Sequence, residues 1–190
     1  MKPNNIALAA LMLIGISTLT NISDAAAKGG KKAVNGFMGH YGYFISYPAD
    51  YKSQPSFSGP DEIVQFMPPT KCTADQAACA KAGWINLAVF PKRLIKEKNG
   101  LGSFDEYMGE VLRDSKKRGE NPTAKRSKIG SLTSNVLFLK NPTGPFNRMA
   151  YLEGQKCYYR FAYDAKNKHV VEMMQSLAEI QPHDTPPAGR

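Results

Sequence analysis

Histidine and cysteine are scarce in this sequence, three of each among 190 residues, and that scarcity removes most metal and nucleophile chemistry. A structural zinc site wants four ligands with close Cys-x-x-Cys or His spacing, and Cys72, Cys79 and Cys157 offer no such spacing. A thioredoxin-type redox pair wants Cys-x-x-Cys as well. No histidine lies between His40 and His169, and the third, His183, falls near the carboxyl end. Also missing are G-x-S-x-G, H-E-x-x-H, a phosphate-cradling glycine loop and an EF-hand pattern. The expectation is a chain with no catalytic, cofactor or metal site, and not an enzyme. The remaining enzymatic alternative is a hydrolase with an unrecognised site, for which Cys157 and His169 are the conceivable pair, because a cysteine nucleophile needs a nearby base.

Long apolar runs are also lacking. The longest extends from Ile6 to Leu19, 14 residues, where a membrane-spanning helix needs roughly 20. Lys2 precedes it and Ala25-Ala26-Ala27 follows, which is the order of a secretory signal peptide over residues 1–27. No cysteine follows the small residues, so no lipid tether is expected. The chain therefore reads as exported, periplasmic or secreted, with no transmembrane anchor after cleavage. The 163 residues beyond the signal make one domain of ordinary size. The glycine- and lysine-rich stretch 28–36 reads as a flexible leader, 37–181 as the domain, and the proline-rich 182–190 as a loose tail.

Acid is in short supply relative to base, 16 residues against 25, a net charge of +9. Such an excess favours anionic partners and solubility and says nothing about fold. Its densest expression is "SKKRGENPTAKRSK" (115–128), where Lys116, Lys117, Arg118, Lys125, Arg126 and Lys128 face one acid, Glu120; "PKRLIKEK" (91–98) adds four more bases. Read as a loop, 115–128 is a candidate binding site for the phosphate groups of anionic lipid or polysaccharide. Nucleic acid is not expected, since no aromatic is interleaved to stack on bases and the chain is exported.

In an oxidising compartment cysteines are first read as disulfide material. Cys72 and Cys79 are the preferred pair, with a pairing to Cys157 or free thiols as alternatives. Thr73 and Gln76 resemble a capping box opening a short helix up to Gly83. Seven residues of helix span about 10 Å and bridged Cα atoms sit within roughly 7 Å, so the bridge requires Cys72 to lie outside that helix.

What is present is a pattern of short strands and helices. "GYFISYP" (42–48) and "EIVQFMP" (62–68) are aromatic and β-branched runs stopped by proline. "WINLAVF" (84–90) alternates, with Ile85, Leu87 and Val89 on one face. From Ser103 the apolar positions Phe104, Tyr107, Met108, Val111 and Leu112 take helical spacing. Ser103 with Glu106 makes a capping box, and Gly119 is the natural stop. Strands follow around 124–129 and at 134–140, then the pair "RMAYLE" and "KCYYRFAY", joined by a tight hairpin with Gly154 at its first central position. In the second arm Cys157, Tyr159, Phe161 and Tyr163 share a face, which makes Cys157 a buried small hydrophobe. Val170, Val171, Met174, Leu177 and Ala178 return at helical spacing, with a strand as the competing reading.

The order strands, helix, strands, helix predicts a single α+β domain with a largely antiparallel β-sheet flanked by helices. "YFISYPADY", "INLAVF", "SFDEYM", "RMAYLEGQKCYYRFAYDA" and a closing apolar helix, in that order over roughly 41–181, resemble the PsbP-like and DcrB-like family of small α/β/α sandwich domains; the connection 68–83 is an insertion relative to that pattern. The resemblance implies a non-catalytic exported protein that binds, stabilises or assembles another protein of the cell envelope, and it carries over no binding residue. Fold-level analogy raises an expectation and does not establish an activity.

Overall fold

The computed structural model describes residues 33–69 and 75–180. The proposed signal peptide 1–27, Cys72, Thr73 and the tail 182–190 lie outside the described residues.

A seven-stranded antiparallel sheet forms the middle of the domain. Its strands are β3 (Lys52–Ser58), β4 (Asp61–Met67), β5 (Ile85–Pro91), β6 (Pro122–Ile129), β7 (Leu132–Leu139), β8 (Arg148–Glu153) and β9 (Cys157–Tyr163), in the spatial order β3-β4-β5-β9-β8-β7-β6. Period-2 alternation decides which residues face which layer. One face buries Val64, Phe66, Ile85, Leu87, Val89, Tyr159 and Phe161 completely. That face is covered by a small antiparallel sheet, β1 (Val34–Met38), β2 (Tyr43–Pro48) and β10 (Ala178–Glu179), together with helix α4 (Val170–Ser176). On the other face Tyr151, Tyr158, Leu137 and Leu139 pack against Phe104, Tyr107 and Met108 of helix α3 (Phe104–Lys117). Tyr107 and Tyr158 stack with ring centroids 4.5 Å apart. Helix α1 (Gln76–Ala82) leads into β5, and α2 (Lys92–Asn99) follows it. The architecture is the α+β arrangement expected from the sequence, a largely antiparallel sheet with helices on it.

The alternation in 84–90 and 157–163 is borne out, as is α3. Ser103 Oγ accepts from Glu106 N and the Glu106 carboxylate accepts from Ser103 N and Gly102 N. These backbone donors hold the Glu106 carboxyl below its ordinary range.

Five local expectations are corrected. The strand β1 begins at Val34, inside the stretch taken as a flexible leader, because Phe37 packs into the core beside Tyr43 and Phe66. The cap of α1 is Asp75, whose Oδ1 accepts from Ala77 N at 2.9 Å, and the helix starts at Gln76. The second half of 115–128, read as a loop for anion binding, is strand β6, in line with the strand expected around 124–129. After α4 the chain turns into the short strand β10, so the helical and strand readings of 168–180 each describe part of it. Gly154 has no left-handed backbone; three residues separate β8 from β9, and a Cβ at 154 would sit 2.3 Å from Glu179 Oε1. Glycine is there to admit the Glu179 carboxylate, which accepts from Gln155 N, Lys156 N, Cys157 N and the Tyr159 hydroxyl.

Candidate functional site

The six bases singled out in the sequence do not converge. Lys116 and Lys117 end α3, and Arg118 is its cap. Arg118 donates to Glu120 Oε2 at 3.0 Å, and Lys117 lies 3.4 Å from Asp114. Arg126 on β6 pairs at 2.8 Å with Asp105, in the first turn of the same helix. Asp105 and Lys117 are twelve helical steps apart, about 18 Å, so the two groups sit near opposite ends of α3. Lys125 and Arg126 are adjacent on one strand, so their side chains leave opposite faces of the sheet. Three of the six thus carry acidic partners. The tight turn 118–121 is fixed instead by Glu120, buried to 2% exposure. Burial pushes its carboxyl upward, and hydrogen bonds from Ser115, Thr143 and Arg118 outweigh this, holding it down at about 2.

Cys79 lies in α1, buried and in no disulfide among the described residues, and its expected partner Cys72 lies outside them. Cys72 precedes the helix start at Gln76. Cys157 is 2% exposed, and burial followed by the Glu179 carboxylate pushes its thiol up to about 12. Cys157 opens β9 whereas His169 is tied to the far end of that strand, through Asn167 Oδ1 and the Asp164 turn. Six steps of strand are about 20 Å, so the thiol and the imidazole are not a catalytic pair.

Two other places concentrate unusual surface. The first is the outer face of the small sheet. Val34, Met38 and Phe44 are exposed by 63%, 61% and 37%, and the register sets Val34 opposite Pro48 and Met38 opposite Phe44, with Ala178 beyond Phe44. The Phe44 ring lies over Gly36, where a Cβ would come within 2.6 Å of it. β1 is one of the two outer strands of this sheet, the other being the two-residue β10. Its sequence, VNGFM, has neither a charge nor a proline. The two edges of the large sheet differ: β3 carries Pro55 and β6 carries Lys125, Arg126 and Lys128, the devices that discourage strand addition.

The second place is the end of the molecule around His169, where three shallow hollows adjoin. One, of about 180 Å³, is lined by Tyr51, Lys81, Lys166, Asn167, Lys168 and His169 among others. Its neighbour, of about 90 Å³, is mainly apolar and includes Val34, Pro48 and Met173. The His169 ring meets Tyr51 edge-on at 5.8 Å, and its Nδ1 is 4.0 Å from Glu172. Neither place was visible as a motif. Lys81 and Lys166 are isolated bases far apart in sequence, and Val34 and Met38 stand in a stretch whose glycine and lysine content hides a strand.

No family model and no curated protein matches the chain. Among solved structures it is similar to the solution structure of cyanobacterial PsbP (CyanoP) from Synechocystis sp. PCC 6803, at 10% identity and a TM-score of 0.48, over 82% of this chain and 98% of that one. No helix among the described residues is long and apolar enough to cross a membrane.

Proposed function

We propose that this chain is an exported, non-catalytic protein that binds another protein of the cell envelope, and that the small sheet is where it does so. The observation that carries the reading is the apolar outer face Val34, Met38 and Phe44 beside an edge strand without charge or proline. Contiguous exposed apolar surface marks interaction sites, and a free strand edge offers main-chain donors and acceptors to an incoming strand. The partner that fits is an extended protein segment with apolar side chains on alternate positions, added alongside β1.

The test is cross-linking of the chain in its native envelope at low and high salt, comparing wild type with M38E/F44E. A discrete protein captured by the wild type at both salt concentrations, and lost in the variant, is the expected outcome. Capture that the variant leaves unchanged, or capture of lipid and polysaccharide alone that vanishes at high salt, contradicts it.

A further inference from the structure

We infer that the hollow lined by Lys81, Lys166 and Lys168 is a binding site for a phosphate group. The three lysines belong to none of the small sheet's strands, and of the exposed apolar residues Val34, Met38 and Phe44 the adjoining apolar hollow includes only Val34. The three lysines come from the last turn of α1 and from the loop between β9 and α4. All three are exposed, and none is in an ion pair among the described residues. Elsewhere on the domain some bases are matched with acids, as at Lys92 with Glu153, Arg118 with Glu120 and Arg126 with Asp105. Others that are in no ion pair among the described residues, such as Lys116, Lys125 and Lys128, are dispersed along α3 and β6 rather than gathered round one hollow. Three unmatched ammonium groups around one concavity repel one another, and an anion seated between them relieves that repulsion.

The backbone beneath them is held in place rather than loosely draped. The buried Asp164 carboxylate accepts from Lys166 N at 2.9 Å and from Asn147 Nδ2 at 3.0 Å, while Asn147 Oδ1 accepts from Ala165 N at 2.9 Å. Asn167 donates from Nδ2 to Gly83 O at 2.7 Å, accepts at Oδ1 from His169 N at 2.9 Å, and thereby joins the loop to the end of α1. The Tyr51 hydroxyl donates to the same Gly83 carbonyl at 3.2 Å. Gly83 itself has φ of 120°, and a Cβ there would meet Tyr51 Oη at 2.4 Å, so this junction accepts no larger residue. Lys166 and Lys168 thus flank a fixed Asn167, and Lys81 closes the third side. The nearby carboxylates are otherwise placed. Asp164 is buried and engaged, Glu172 faces His169 Nδ1, and Asp50 lines the adjoining hollow rather than this one.

A compact, multiply charged oxyanion suits ammonium donors acting as point charges. Two sources share that chemistry, a soluble phosphate and a lipid headgroup whose chain could run into the apolar hollow past His169. Calorimetric titration of the full chain with inorganic phosphate, and separately with dihexanoyl phosphatidic acid below its micelle concentration, distinguishes them. Expected is binding of at least one probe, with affinity reduced about tenfold or more in K81Q/K166Q/K168Q. The control K116Q/K125Q/K128Q, which removes the same charge elsewhere, should stay within about twofold of wild type, as exposed remote charges do. Equal binding of both probes identifies soluble phosphate chemistry, and tighter binding of the lipid identifies a headgroup; either supports the site. Absence of binding to both probes overturns it, as does an equal loss in the two triple variants.

Discussion

Glu120 shows how much a single buried carboxylate decides. Three donors converge on it, from Ser115, Thr143 and Arg118, and its main-chain carbonyl accepts from Lys140 N and Asn141 N. Its folded-state value of about 2 lies below the ordinary 4.5. The stabilisation is therefore fully present above about pH 4.5 and is lost as pH falls through about 2, worth on the order of 2–3 kcal/mol. E120Q is predicted to lose stability of that order at pH 7 and to flatten the fall in stability between pH 4.5 and 2, as read by urea unfolding across that range. An unchanged acid slope contradicts the assignment. Cys157 gives the opposite lesson. Its thiol, pushed up to about 12 by burial and by Glu179, should react with iodoacetamide at pH 8 far more slowly in the folded chain than in urea, followed by mass shift; fast labelling of the native chain refutes the burial. Mass spectrometry of the unreduced chain reports independently whether Cys72 and Cys79 are bridged.

At the scale of elements, legibility followed how closely local signals agreed with tertiary surroundings. Helix α3 was readable because period, capping box and terminal charges all point the same way, and S103A is predicted to cost about 1 kcal/mol in thermal or urea unfolding, with no loss of the fold. Strand β5 was readable because its inward residues are all aliphatic. Strand β3, KSQPSFS, was not, because an edge strand exposed along most of its length has no buried face to impose alternation. Helix α2 buries no residue and so displays only a short, charged amphipathic pattern. The hairpin 154–156 was legible in position and not in cause. Its glycine answers to Glu179, 25 residues later, and G154A is predicted to destabilise by roughly 1–3 kcal/mol through overpacking, as measured by chemical denaturation. The candidate surfaces were the least legible part. Lysine pairs with acids or stands free according to what the fold brings beside it, and the six bases of 115–128 were dispersed by the strand and helix that carry them.

For the whole molecule, a net charge of +9 fits a protein that approaches anionic surfaces, while the apolar outer face of the small sheet fits one that holds on to a protein there. These two properties occupy different surfaces, so salt separates them, because charge attraction between exposed groups is screened within about 10 Å at 0.1 M and apolar burial is not. The large sheet positions both. Its two edges are blunted by Pro55 and by the bases of β6, whereas the small sheet ends in β1, five residues without charge or proline, and in the two-residue β10, which carries Glu179. The buried faces of the large sheet fix the small sheet and α4 against it. The most direct measurement is the envelope cross-link at low and high salt with wild type and M38E/F44E side by side. A discrete protein partner that survives high salt with the wild type and disappears with the variant is the predicted result; a partner retained undiminished by the variant contradicts the account.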